Sequence, residues 1–348
     1  MICVFGQQDY AERIIRYLEK MSSHSRNKVF PFPLSEQNPS EQVFDFSLHD
    51  EQLDKLEKTM PIIVAFGAKH QEEATQYVRE RGFTDVRLFD ASMDNTLKKS
   101  FFKNIFAGES RDFSLINEAK SVIVYMAKSI VDQPLKRAPT EEVSPHIVSI
   151  QVGATLTDKK IADITDDTGE NISDRNHHFS ETTALYWMWK NAEADYLGLC
   201  HYRRLWKDLD IIANNLQSGV VDVVLPLPTW VTPSVKEGHL KHYTPEVWET
   251  MMNILKRHSP KYYEFAQTTF EGNIFYASNM LIAKRHVLNH LCAWMFPIVM
   301  ETEKIVGDLP DPYYNRYCGF CTEQLITLYF LYNEKNWRIA HAEKIFIE

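Results

Sequence analysis

The sequence predicts an α/β protein of two domains, a small one followed by a larger one, and three observations predict it. Apolar runs of strand length alternate with helical patterns as far as Phe89, and a second alternation of the same kind begins at Ser121. The length of 348 residues exceeds the usual size of one domain. Hydrophobic side chains make up 44% of the chain and aromatic ones 12%, enough to bury a core in each part. The expected division is 1–118 and 119–348.

In the first part, Ile2-Cys3-Val4-Phe5-Gly6 reads as a buried strand, Tyr10 to Met21 as a helix, Ile62 to Gly67 as a second strand, Gln71 to Arg81 as a helix and Val86 to Phe89 as a third strand. Strands separated by helices imply a small parallel sheet. The arrangement resembles the half-Rossmann domain at the N-terminus of several sugar-modifying and acyl-transferring enzymes. It departs from them at the turn Phe5-Gly6-Gln7-Gln8-Asp9-Tyr10, which keeps one glycine and meets a phosphate with the wrong charge at Asp9. A docking or structural role is therefore favoured over dinucleotide binding. The more polar stretch Ala91 to Leu115 reads as a closing helix and linker. Its cluster Lys98-Lys99-Ser100-Phe101-Phe102-Lys103 suits a solvated helix face better than contact with anionic lipid.

In the second part, Ser121 to Lys128 is a strand ending in a cation, and Ile147 to Gly153 is another extended run. Asp166-Asp167-Thr168-Gly169-Glu170-Asn171-Ile172-Ser173 reads as a loop, dense in turn formers. After Asn176, Ser180 is placed as the N-cap of a helix over Glu181 to Asn191, with Leu185, Met188 and Trp189 at helical spacing. Strands follow at Asp195 to Arg204, Val220 to Pro226 and Ile274 to Lys284, then a helix ending near Tyr332 and a final edge strand over Trp337 to Ala342.

The run Asp195 to Arg204 carries the chemistry. Read as one strand, it sends His201 and Arg203 to one face and Tyr202 and Arg204 to the other, at the carboxyl end where ligands of open α/β sheets bind. Guanidinium forks match phosphate oxygens, and imidazole adds a hydrogen bond or a proton. Taken alone, the arginines would be read as partners of local acids and His201 as a satisfied core histidine. The two Asp, two Asn, Ser180 and Glu181 just upstream favour a binding site for an anion.

Composition excludes several classes. With 38 Lys and Arg against 47 Asp and Glu the net charge is −9, which argues against general nucleic-acid binding and permits a local cationic site. Five cysteines at this length argue against a disulfide framework and for a reducing compartment. Cys318-Gly319-Phe320-Cys321 has the spacing of half a metal site, but without a second pair ordinary packing is expected. No targeting peptide or bilayer-length apolar run is visible. A cytoplasmic protein is expected, with any membrane association peripheral and at the inner face.

Gln151-Val152-Gly153, Asp166-Asp167-Thr168-Gly169, Asn171-Ile172-Ser173, the Glu181 to Asn191 helix and above all Gly198-Leu199-Cys200-His201-Tyr202-Arg203-Arg204 together carry a further resemblance. From about Ser121 to Glu348 the chain resembles a bacterial family of capsule and exopolysaccharide biosynthesis proteins, long catalogued as a domain of unknown function, that includes β-galactofuranosyltransferases. The resemblance implies a GT-A-like mixed-sheet glycosyltransferase domain acting on a nucleotide-sugar donor, UDP-linked in the first instance, and a glycan or lipid-linked acceptor. Lys128, Asp166, Asp167, Asn171, Asn176, Glu181, His201, Arg203 and Arg204 are then expected on the donor side, and Tyr202, His242 and Asn279 on the acceptor side. Glu323, expected in the first turn of the last helix, is the candidate base. His239, Lys241 and His242 are expected in a loop over the donor. Many GT-A enzymes hold a divalent ion on an Asp-x-Asp pair, where this sequence places His201 and Arg203. Transfer without a metal is therefore expected, with Mn2+ or Mg2+ on Asp166 and Asp167 as the alternative. A non-catalytic sugar-nucleotide or glycan-binding component of the same machinery is the rival.

Overall fold

In the computed structural model, residues 2–21, 27–33, 44–102, 120–136, 144–231, 233–241 and 244–347 are described. The chain divides into two compact units, Met1–Lys103 and Asn104–Glu348.

The first unit runs β1 (Cys3–Gln7), α1 (Gln8–Met21), β2 (Lys28–Phe32), α2 (Asp50–Asp54), β3 (Ile62–Ala65), α3 (Ala68–Glu80), β4 (Val86–Leu88) and α4 (Ala91–Phe102). Its four strands are parallel in the order β2-β1-β3-β4. Alternation along the strands builds a core on each face. Cys3, Phe5, Ile62 and Val64 pack with Phe30, Leu53, Ala74 and Val78, whereas Val4, Ile63 and Ala65 pack with Ala11, Ile14, Tyr17 and Leu97. Gly6, read from sequence as the end of the first strand and the start of a turn, lies inside β1. A Cβ there would stand 2.4 Å from the Ala65 carbonyl oxygen, so close strand packing explains this glycine. Lys98 pairs with Asp94 on its own helix at 2.6 Å, but both side chains are mostly buried, so the expected solvated face does not hold at Lys98.

The second unit begins with β5 (Val122–Lys128), β6 (Ile147–Gln151), β7 (Ile164–Thr165), α5 (Asn176–Phe179), α6 (Thr182–Asn191), β8 (Tyr196–His201) and β9 (Arg204–Trp206). It continues through α7 (Leu209–Leu216), β10 (Val223–Pro226), β11 (Thr229–Trp230), α8 (Val235–Leu240), α9 (Pro245–His258), α10 (Pro260–Thr269), β12 (Ile274–Phe275) and β13 (Leu281–Lys284). It closes with α11 (Arg285–Val306), α12 (Tyr317–Tyr332), β14 (Ile339–Ala342) and β15 (Lys344–Phe346). The main sheet is mixed, ordered β14-β10-β13-β8-β5-β6-β7, with β13 antiparallel to both neighbours and β8-β5-β6-β7 parallel. Leu197, Leu199 and Leu281 face the larger core with α6, α9, α11 and α12, and Tyr196, Cys200 and Ile282 face the smaller one with α7. Among the described residues no helix is long and apolar enough to cross a membrane.

Three expected elements change. The strand through Arg204 stops at His201, the chain reverses at Tyr202-Arg203, and β9 returns with Arg204 paired to His201. The expected strand Ile274 to Lys284 is interrupted by Ser278 and Asn279, both at positive φ (82° and 49°). Ser180 is not an N-cap: it sits at φ 50° after α5, and its hydroxyl accepts a hydrogen bond from Arg316 Nε at 2.9 Å.

One buried charge ties the sheet's far end together. Asp222 accepts Arg338 N at 2.9 Å, Arg338 Nε at 2.8 Å, Arg338 Nη2 at 2.6 Å and Lys284 Nζ at 2.9 Å, and these bonds hold its carboxyl well below the usual range despite burial. Asp222→Ala removes a partner of Lys284 and of the half-exposed Arg338 and leaves the Arg338 N–H unmatched, and an equilibrium denaturation series should report a loss of about 1–2 kcal/mol. A loss under about 0.5 kcal/mol, the size typical of an ordinary surface substitution, contradicts this role.

Candidate active site

A cleft of about 540 Å³ opens beyond the carboxyl ends of β5 and β8. Ala127, Ser129 and Asp132 line it from the end of β5, His201 to Arg204 from the β8-β9 hairpin, and Asn176, His177, Ser180 and Glu181 from around α5. Pro312, Asn315 and Arg316 complete it from the segment before α12. Because the hairpin turns at Tyr202-Arg203, the expected split of the motif over two faces does not occur, and all four side chains reach one cavity.

The cations are three guanidinium groups. Arg203 donates from Nη2 to the Gln133 carbonyl at 3.1 Å, while its buried Nε has no hydrogen-bond partner among the described residues. Leaving such a donor unmatched costs roughly 1–3 kcal/mol. Arg316 lies 4.0 Å from Glu181, and Arg204 sits over the Phe346 ring at 5.7 Å. Two carboxylates face them. Asp132 accepts the Ser129 N–H at 2.7 Å, and its carboxyl is pushed upward by burial against the opposing pull of that bond, Arg203 and Arg316. Glu181 accepts Asn279 Nδ2 at 2.9 Å.

His201 plays a different part from the one expected. It is 8% exposed, and its Nε2 donates to the Ser278 carbonyl at 2.6 Å. Burial, opposed by Glu181, moves its pKa below the ordinary value, so the ring is neutral at pH 7 with its Nε2 proton committed to the backbone. At pH 7 the positive charge lining the cleft therefore comes from the arginines. The Ser278 N–H meets Glu323 Oε1 at 2.5 Å, so this left-handed residue is clamped between His201 and Glu323, with Lys344 Nζ 3.1 Å from its hydroxyl.

Glu323 lies in the second turn of α12, which starts at Tyr317, and not in the first. Burial, then the Glu181 charge, pushes its carboxyl up to about 7, against the pull of Ser278, Lys344 and Arg204. That value suits proton transfer at neutral pH, yet the lining of the cleft stops at His201 and Glu181, one layer in front of it.

Other expected residues lie elsewhere. Asp166 is fully buried and accepts Gly153 N at 3.0 Å, Ala154 N at 3.1 Å and the Ser173 hydroxyl at 2.5 Å, a structural anchor with both oxygens engaged. Asp167 accepts the Thr165 hydroxyl at 2.5 Å, and Asn171 accepts Ser173 N at 3.1 Å within the loop. Lys128 ends β5, but the cleft is lined by its neighbours Ala127 and Ser129. Asn279 is 1% exposed, holds Glu181 and the Gly319 carbonyl through Nδ2, and accepts the Thr322 hydroxyl through Oδ1. Both Nδ2 hydrogens are taken and the amide is buried, so it positions Glu181. His239 is buried in α8 against Trp248 at 4.9 Å, not in a loop, and His242 lies outside the described residues. Cys318 and Cys321 are buried free thiols on one helix, the latter pushed up to about 12 by burial, as packing side chains are.

Sequence reasoning missed Asp132, His177, Asn315 and Arg316. Asp132 carried a usable signal, since it lies four residues past the end of a strand. Arg316 carried none, because only folding brings the start of α12 to the hairpin.

A second basic cavity, of about 870 Å³, opens at the other end of the sheet beside Lys284 and Arg285. Its cations are spent on protein: Lys284 on Asp222 and the Gly219 carbonyl, Arg285 on the carbonyls of Met188, Trp189 and Ala192.

The structure is similar to that of the WbbM bifunctional glycosyltransferase in its apo form, with a TM-score of 0.56 and 21% sequence identity over 66% of this chain. The match spans 45% of the WbbM chain, and at that identity it speaks for the fold. No curated protein matches the chain. Residues 136–335, which carry most of the cleft, match the model of the domain of unknown function DUF4422, and the chain belongs to that family.

Proposed function

We propose that the second unit is a glycosyltransferase that moves a hexosyl unit, galactofuranose in the first instance, from a UDP-sugar to a surface glycan or its lipid-linked precursor, with inversion. The observation that carries this reading is the convergence of Arg203, Arg204 and Arg316 with Glu181 and Asp132 in one cleft at the strand ends of a fold shared with WbbM. Phosphate oxygens match the guanidinium forks, and the charge that develops on the leaving diphosphate is met by donors already in place.

The bond from the anomeric carbon to the diphosphate oxygen breaks as the acceptor oxygen bonds to that carbon, and the acceptor's proton passes to a carboxylate. Glu181 is our candidate, since it lines the cleft with an orientation fixed by Asn279. Glu323 then acts behind it, on Ser278 and through its charge. Glu181→Gln should lower transfer at least 100-fold with donor affinity changed less than threefold, whereas Glu323→Gln should stay within about tenfold of the parent. Equal loss in both returns the base assignment to Glu323. Donor binding with no transfer by the parent protein, to any acceptor tried, supports a non-catalytic binding component instead.

Mn2+ or Mg2+ is not required in this reading. Asp166, the first alternative ligand, has its oxygens taken up by Gly153, Ala154 and Ser173, which does not fit a diphosphate-bound ion. Transfer lost in chelator and restored by Mn2+ or Mg2+ contradicts it.

A further inference from the structure

At the lip of the cleft, two consecutive histidines and an aspartate from a distant loop come together. His178 Nε2 lies 2.9 Å and His177 Nε2 3.7 Å from Asp308 Oδ1, and the three potential ligand atoms are all within 4.8 Å of one another. Zn2+ bonds of 2.0–2.1 Å in tetrahedral arrangement place neighbouring ligand atoms about 3.3 Å apart, and the two measured separations bracket that spacing.

The surroundings match what a metal-bound imidazole needs. His178 Nδ1 lies 2.8 Å from Glu303 Oε1, and Glu303 is itself ion-paired with Arg175, so the ring is held in place with Nε2 turned to Asp308. A neutral imidazole has one N–H and can serve only one of the two carboxylates; a metal on Nε2 requires that proton on Nδ1, where Glu303 accepts it. The facing pair of Nε2 and the Asp308 carboxylate then presents two lone pairs to one space, which a cation satisfies.

We propose that His177, His178 and Asp308 form a mononuclear site for a Zn2+-class ion, with a coordination position left open at the lip of the cleft. Two nitrogens and one carboxylate favour Zn2+, Co2+ or Ni2+ over the oxygen-seeking Mg2+. The ion would tie α5 to the segment that carries Pro312, Asn315 and Arg316 into the cleft, and so fix the position of Arg316. The site stands independently of the proposed reaction.

The test uses the full chain without a histidine tag, stripped by chelator, titrated with ZnCl2 by calorimetry and followed by thermal melting. One Zn2+ per chain is expected, with a higher Tm that millimolar Mg2+ does not reproduce. His177→Ala and Asp308→Ala, both at exposed positions, should each weaken binding at least tenfold while leaving the metal-free Tm within two degrees of the parent. Absence of stoichiometric binding overturns the site, as does Zn2+ binding that survives both substitutions, which would place the ion elsewhere. Because neither readout involves donor or turnover, failure here and failure of the transferase reading are separately visible.

Discussion

Replacing Arg203 by alanine should weaken binding of uridine diphosphate at least tenfold, and the paired change Arg203→Ala with Arg204→Ala should lower transfer by two orders of magnitude or more. Arg203 offers the strongest case because its buried Nε is unmatched among the described residues while Nη2 is already anchored to the loop after β5. A charge-assisted, bidentate contact to phosphate is worth about 1.5–3 kcal/mol or more in a half-buried site, and two of them lost together compound. Arg203→Lys should rescue little, since a point charge cannot reproduce the fork. Calorimetry with uridine diphosphate checks the first part, and initial rates the second. Unchanged affinity in Arg203→Ala would remove the hairpin from the donor site.

The second large effect concerns stability and comes from Glu323. Its pKa rises from 4.5 to about 7 on folding, so between those values the folded chain keeps a proton that the unfolded chain has lost. Stability contributed by this group is therefore intact at and below about pH 4.5, falls as pH rises through the window, and is fully lost above about 7, at a cost of roughly 3 kcal/mol. Glu323→Gln keeps an oxygen for the Ser278 N–H and removes the charge. The variant should melt several degrees higher than the parent at pH 8 and at the same temperature near pH 4.5. A gain of equal size at both pH values, or a lower Tm at pH 8, contradicts the burial of this carboxylate. The parent protein keeps a destabilising acid beside its cleft, as sites that trade stability for function do.

Much of the architecture was legible because it follows from alternation. Phe5 against Val4 and Leu197 against Tyr196 assign strand faces without help from the rest of the chain, and the parallel first sheet follows from strands separated by helices. The hairpin at Tyr202-Arg203 was not legible, since neither residue is a turn former and β9 is three residues long. Nor was the break at Ser278 and Asn279, where an apolar run reads through a left-handed pair held by Glu323, His201 and Lys344 at Ser278 and by Glu181, Gly319 and Thr322 at Asn279. Asp166 misled for the opposite reason. An acid in a polar loop looks like a ligand until its partners, backbone N–H groups of Gly153 and Ala154, are known. Gly153 itself is needed there, at φ 65° and with Asn176 2.8 Å from where its Cβ would be.

The account rests on the diphosphate lying against the arginines of the β8-β9 hairpin. A crystal structure with uridine diphosphate bound tests this most directly. The expected result places phosphate oxygens within hydrogen-bond distance of Arg203 Nε and of Arg204 or Arg316, with no ion on Asp166. Nucleotide lodged at the opposite end of the sheet, beside Lys284 and Arg285, would contradict it.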